Sequence, residues 1–196
     1  MTAQRSLIPG PGEPIRIKGT SLLDAIEATR KREGEERLAQ IVESLLPPFR
    51  HVLEGGIVPT GFYSLDAFVA FLEAGFRLSG DDERILIKRT EAVAERQLTG
   101  LYRVFIKLGT PEFVVRRITT IHQTFFTGIG ISFELGHGDA RVRYTGFRKQ
   151  HRLIEYVMIG FYQKALQICG ARNVRALMSI PMADDVEFCE LHLTWQ

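Results

Sequence analysis

One histidine in this 196-residue chain sits where a ligating or proton-carrying side chain could work. His122 falls among Phe113, Val114, Ile118, Ile121 and Phe125, an apolar stripe with helical spacing. A neutral imidazole there can ligate a metal ion or sense pH. The plainer reading is a half-buried ring held by a hydrogen bond. His137, His151 and His192 have no metal-ligand spacing relative to it. Arg141, Arg143 and Arg148, with Lys149 and Arg152, form a basic cluster, and Arg116 and Arg117 lie upstream. Guanidinium groups recognise carboxylates and phosphates through paired hydrogen bonds, so Arg141, Arg143 and Arg148 are candidates for binding an anion or an acidic partner. The favoured alternative is a solvated strand face balanced by Glu134 and Glu187.

The aromatic residues cluster in the second half of the chain. Phe113, Phe125, Phe133, Tyr144 and Phe161, together with His122, are candidates to line an apolar ligand cavity between helices and sheet. Periodicity also puts Phe113, Phe125, Phe133 and Phe161 on core faces, so a filled interior is the default. Gly160 stands inside a helical pattern, where close approach of another backbone or of a second copy would account for it. No Gly-x-Ser-x-Gly elbow, His-Glu-x-x-His helix or Cys-x-x-Cys pair occurs. Asp81-Asp82-Glu83 suits a helix start and Asp184-Asp185 a turn. No catalytic residue and no metal site are expected.

The elements that must position these groups read as follows. Residues 1–14, with Pro9, Gly10, Pro11, Gly12 and Pro14, are expected to be a flexible arm, and 15–196 a single domain. Ile15 and Ile17 allow a short edge strand. Helices are expected over Ser21 to about Arg32, around Leu38, Ile41, Val42, Leu45 and Leu46, after Ser64, from Gly80-Asp81 to about Leu108, and after Thr110-Pro111-Glu112. Pro47 and Pro48 stop the second of these, and a loop follows. The pattern then changes to period two: Ile129, Ile131, Phe133 and Leu135, then Val142 and Tyr144 beyond a glycine-rich turn. A helix over Gln150 to Cys169 and strands over Val174–Ile180 and Val186–Trp195 finish the chain. The fold class is α+β, with N-terminal helices packed on a mostly antiparallel β-β-α-β-β sheet.

A net charge of +2, from 25 basic and 23 acidic residues, argues against nucleic acid and membrane surfaces as partners. No run reaches the roughly 18 apolar residues of a membrane span. Two cysteines, Cys169 and Cys189, make no disulfide framework, so a reduced, cytoplasmic setting is expected.

The run Arg141 to Arg148, the helix carrying Val157-Met158-Ile159-Gly160-Phe161, and the ending Phe188-Cys189-Glu190-Leu191-His192-Leu193-Thr194-Trp195 resemble the haem–nitric-oxide-binding and four-vinyl-reductase superfamily. Gly61-Phe62-Tyr63, Gly109-Thr110-Pro111-Glu112-Phe113 and the terminal Cys-Glu-x-x-x-x-Trp are similar to an uncharacterised paralogous family abundant in myxobacteria. The resemblance spans roughly residues 35–196. It implies a non-enzymatic regulatory or sensory module, a homodimer, a small apolar ligand and a regulatory protein partner. The alternatives are an adaptor with a filled core and a haem-based gas sensor using His122. Haem-binding relatives carry Tyr-x-Ser-x-Arg for the propionates. Tyr144 and Arg148 match that motif, but Gly146 replaces its serine, and the segment from His122 to Tyr144 is short. Zinc-binding relatives use several cysteines, whereas only Cys189 and Glu190 lie near the last strands, short of a four-ligand set. No cofactor is therefore expected.

Overall fold

A computed structural model describes residues 14–99 and 109–196. The arm expected at 1–14, save Pro14, and the Leu101, Tyr102 and Phe105 part of the long helix lie outside the described residues.

Strand β1 (Arg16–Lys18) leads into α1 (Gly19–Glu43), then α2 (Pro47–Glu54), β2 (Phe62–Ser64), α3 (Leu65–Ser79) and α4 (Glu83–Thr99). From residue 109 onwards come α5 (Pro111–Phe125), β3 (Phe126–Thr127), β4 (Gly130–Leu135), β5 (Asp139–Thr145), a 3-10 turn (Lys149–His151), α6 (Leu153–Ile168), β6 (Arg175–Ile180) and β7 (Cys189–Thr194). Helices gather in the first half and an antiparallel sheet in the second, as the change of period requires.

The two helices expected before Pro47 are both present within α1, and they meet at Gly34, whose φ of 85° and ψ of 171° interrupt the helical backbone between them. Two local expectations need correction. Pro47 and Pro48 open α2 as well as ending its predecessor, because a missing N–H costs nothing in a first helical turn. Strand β1 is central in a small sheet of order β2-β1-β3, not an edge. Its neighbours are three and two residues long, too short to show a period of two.

Helix starts follow their caps. Ser64 Oγ accepts from the Ala67 amide at 3.4 Å, and Thr110 Oγ1 from the Phe113 amide at 3.3 Å. The main sheet has order β4-β5-β7-β6, antiparallel throughout. Its register sets Val142 opposite Phe133 and Leu191, and Tyr144 opposite Ile131 and Cys189. Val142, Tyr144, Cys189, Leu191 and Leu193 are all buried against the helices. Gly160 lets α6 cross α4 at very close range: a Cβ there would fall 2.5 Å from the Ile87 carbonyl oxygen and 2.9 Å from Thr90 Cβ. The close approach is made within the chain, with no need for a second copy.

Candidate functional site

Beneath the sheet, α5 and α6 bring three polar side chains together in an apolar interior. His122, in the last turn of α5, is 5% exposed. Its Nδ1 shares a hydrogen bond of 2.9 Å with Tyr144 Oη from β5, and Tyr144 Oη shares another of 2.7 Å with Tyr162 Oη from α6. Both tyrosines are fully buried. Phe161 and Phe126 close the ring of aromatics around the imidazole, with centroids 5.4 and 6.0 Å from it.

Burial decides the charge of this cluster. It depresses the His122 pKa from 6.5 to about 3, because an imidazolium cannot be solvated there, and the ring is neutral at physiological pH. Burial likewise holds the Tyr144 and Tyr162 hydroxyls well above their ordinary range, so both keep their protons. The result is a neutral chain of donors and acceptors, Tyr162 to Tyr144 to His122, with no charge to neutralise.

His122 also forms part of the wall of a cavity of about 150 Å³ between the N-terminal helices and the α5–α6 layer. Phe68, Phe71 and Leu72 of α3, Leu86 of α4, and Met158 and Phe161 of α6 make most of its lining apolar. Arg32 and Asp24 from α1, and Arg89 and Gln97 from α4, supply its polar part.

Of the six cavity candidates read from the sequence, the structure brings His122, Phe125 and Phe161 to the cavity, while Tyr144 stands behind His122 as its hydrogen-bond partner. Phe113 and Phe133 are elsewhere. Phe113 is in the first turn of α5, 38% exposed, with the Arg117 guanidinium 5.3 Å from its ring centre. Phe133 is half-buried on β4, with Arg116 5.7 Å from its ring centre. The α1, α3 and α4 contributors are not singled out by the sequence. Their apolar stripes were legible, but a stripe does not say which of its members face a void.

The basic cluster resolves differently. Glu190 of β7 is buried and accepts from Arg141 Nη1 at 2.9 Å, Arg143 Nε at 2.8 Å and Ser179 Oγ at 2.7 Å. Burial pushes the Glu190 carboxyl up, but these bonds outweigh it and hold the pKa below the ordinary range. Arg143 also reaches Glu134 at 2.6 Å and lies 5.2 Å from the Phe188 ring centre. Balance by Glu134 is as expected, whereas the principal partner is Glu190 and not Glu187. Arg148 is exposed and away from the cavity; its backbone amide donates to His151 Nδ1 at 3.0 Å. His151 therefore carries its proton on Nε2, which donates to Asp66 Oδ1 at 3.0 Å. Among the described residues no group of three His, Cys, Asp or Glu side chains is placed to hold a metal ion, and no helix is long and apolar enough to cross a membrane. Cys189 is inert as a thiol, its pKa pushed to about 12 by burial.

No protein-family model matches the sequence, and no curated protein matches it. Solved structures do. A point mutant of an H-NOX protein from K. algicida, in its Fe(II) unliganded state, superposes with a TM-score of 0.70 at 10% identity, over 92% of this chain and 97% of that one. The chain has the H-NOX fold. An oxygen-binding H-NOX domain related to soluble guanylate cyclases, solved as its oxygen complex, gives 0.61 at 12% identity over 92% and 95%. A structure described for modulation of haem redox potential through porphyrin distortion gives 0.62 at 12% over 92% and 99%. These findings overturn the expectation of no cofactor. That expectation rested on the glycine at position 146 and on the short segment between His122 and Tyr144, and neither removes His122 from the cavity wall.

Proposed function

We propose that this chain is a non-enzymatic sensory module that holds a haem in the cavity beside His122 and senses a small gaseous ligand there. The supporting observation is a neutral, buried imidazole at the wall of an apolar cavity, with Nδ1 tied to a tyrosine. Histidines that ligate metals hold their second nitrogen on a hydrogen-bond partner, which fixes tautomer and ring orientation. With Nε2 as ligand, the proton sits on Nδ1 and donates to Tyr144 Oη, and the Tyr144 hydroxyl in turn donates to Tyr162. The donor set and the lining therefore fit a haem, which would supply an iron centre for a diatomic ligand.

The volume sets a condition. At about 150 Å³ the cavity is smaller than the roughly 300–1,000 Å³ usual for ligand pockets. A macrocycle has to widen the gap between the N-terminal helices and the α5–α6 layer as it enters. Such a displacement is a route by which binding reaches the surface, and with it a regulatory partner or a second copy of the chain.

The test is reconstitution. Purified protein titrated with haem should develop a Soret band, His122→Gly should lose it, and added imidazole should restore it. A wild-type protein that develops no Soret band overturns the haem reading. If that protein bound a benzene-sized apolar guest instead, which a cavity of roughly 150 Å³ can hold, the cavity would serve a small apolar ligand directly.

A further inference from the structure

We infer that the cavity takes a ligand bearing carboxylates and that Arg32 and Arg89 anchor them, in place of the Tyr144-x-Gly146-x-Arg148 segment; the inference rests on the haem reading above.

The matching segment is unsuited to the task. Tyr144 is buried and spends its hydroxyl on His122 and Tyr162. Gly146 has φ of 99°, and a Cβ there would come within 2.8 Å of the Gly128 carbonyl oxygen, so a serine cannot be accommodated without moving backbone. Arg148 is not part of the cavity wall. Among the described residues of that segment, none is left to anchor a carboxylate in the cavity.

On the opposite side the chemistry is present. Arg32 of α1 and Arg89 of α4 line both the apolar cavity and a polar pocket of about 370 Å³ beside it, shared with Arg37, Glu33, Ser79 and Asp81. Both residues therefore stand where apolar lining gives way to polar surface. Each is held in place by a carboxylate. Arg32 Nε donates to Glu33 Oε1 at 2.9 Å, and Arg89 grips Asp81 through both terminal nitrogens, Nη2 to Oδ1 at 2.7 Å. Ser79 Oγ donates to Glu33 at 2.8 Å and fixes that carboxylate in turn. The orienting acids are more buried than the arginines they hold: the Asp81 and Glu33 side chains are 6% and 13% exposed, Arg89 and Arg32 25% and 33%.

Charge favours an anion here. The polar pocket carries three guanidinium groups, Arg32, Arg37 and Arg89, against two carboxylates, Glu33 and Asp81. An arginine has five N–H donors, and the bonds to Glu33 and Asp81 account for two on each of Arg32 and Arg89. A pre-oriented pair of arginines on facing helices suits planar, bidentate recognition of carboxylates. A ligand with a broad apolar body and an acidic edge, such as haem with its propionates, would place the body against Phe71, Met158 and Phe161 and the edge on this pair.

The experiment compares ligands and variants by Soret titration. Wild type is titrated with haemin and with haemin dimethyl ester, whose carboxylates carry no charge; Arg32→Gln and Arg89→Gln are titrated with haemin. The inference expects each substitution, and esterification, to weaken binding about tenfold, as the loss of a charge-assisted hydrogen bond does. Circular dichroism checks that the variants fold, and if Arg89→Gln does not, the two-ligand comparison on wild type decides alone. Equal affinity for haemin and its ester, with unchanged variants, overturns the inference and leaves His122 as ligand. Absence of any Soret band in wild type removes the haem reading and this inference with it.

Discussion

The neutrality of His122 has a measurable cost at low pH. Its folded pKa of about 3 lies below the ordinary 6.5, so the unfolded chain takes up a proton that the folded chain refuses. The sign follows: the stability associated with the neutral ring is fully present above pH 6.5 and is lost as pH falls towards about 3. At a pH of about 4.5 the loss is about 3 kcal/mol, since each tenfold excess of protonated over neutral imidazole in the unfolded state is worth about 1.4 kcal/mol. Other groups titrate over the same range. Burial lowers His151 and raises Glu155, which act in opposite directions. The comparison therefore needs a partner protein that shares them. His122→Gln keeps a hydrogen-bonding amide near Tyr144 and removes the titration. Urea denaturation of both proteins at about pH 7.5 and about pH 4.5 should show wild type losing about 3 kcal/mol more than the variant. Parallel losses would mean that the imidazole accepts its proton in the folded state, and the argument for a water-excluded, neutral ligand would fail.

Three further outcomes follow from the same geometry. Tyr144→Phe removes the hydroxyl that links His122 to Tyr162 and leaves two buried polar groups short of a partner, so it should cost about 1–3 kcal/mol in urea denaturation; an unchanged midpoint would place water or another group at that position. Gly160→Val drives a side chain into the Ile87 carbonyl and should cost about 3 kcal/mol or more, read as a drop in Tm, whereas a Tm at or above the wild-type value would show that α4 does not cross α6 there. Glu190→Gln leaves Arg141 and Arg143 without their shared carboxylate and should cost about 1 kcal/mol at neutral pH. That difference should shrink as pH falls through the depressed Glu190 pKa, because the wild-type carboxyl then protonates too; a cost that stayed constant down to about pH 2 would count against the ion pairs.

The sheet and the helix starts were legible because each rests on a local rule. Alternation along Ile129–Leu135 and Val142–Tyr144 fixes which side chains face inwards, and Ser64 and Thr110 cap the helices they precede. The bend at Gly34 was half legible, as a gap between two stripes. What produces it is a backbone torsion, and spacing does not reveal torsions. Strand β1 was read as an edge because its partners, β2 and β3, come from remote segments too short to advertise themselves.

The site was legible to the extent that it lies on one element. His122 could be singled out because a polar residue among apolar ones on a helix is conspicuous. Its relation to Tyr144 and Tyr162 could not, because that triad joins a helix end, a strand and a second helix, and no spacing rule spans 40 residues of intervening chain. The basic cluster shows the converse. The sequence displays the charges of Arg141 and Arg143 side by side, while their shared counter-charge, Glu190, arrives from a strand nearly 50 residues later. Arg32 and Arg89 drew no notice, each being one more charge on an amphipathic helix. They become a pair when α1 and α4 face each other across the cavity. In this fold the N-terminal helices supply the wall with Arg32 and Arg89 at its edge, and the C-terminal layer supplies the histidine, so neither half of the sequence contains the cavity lining by itself.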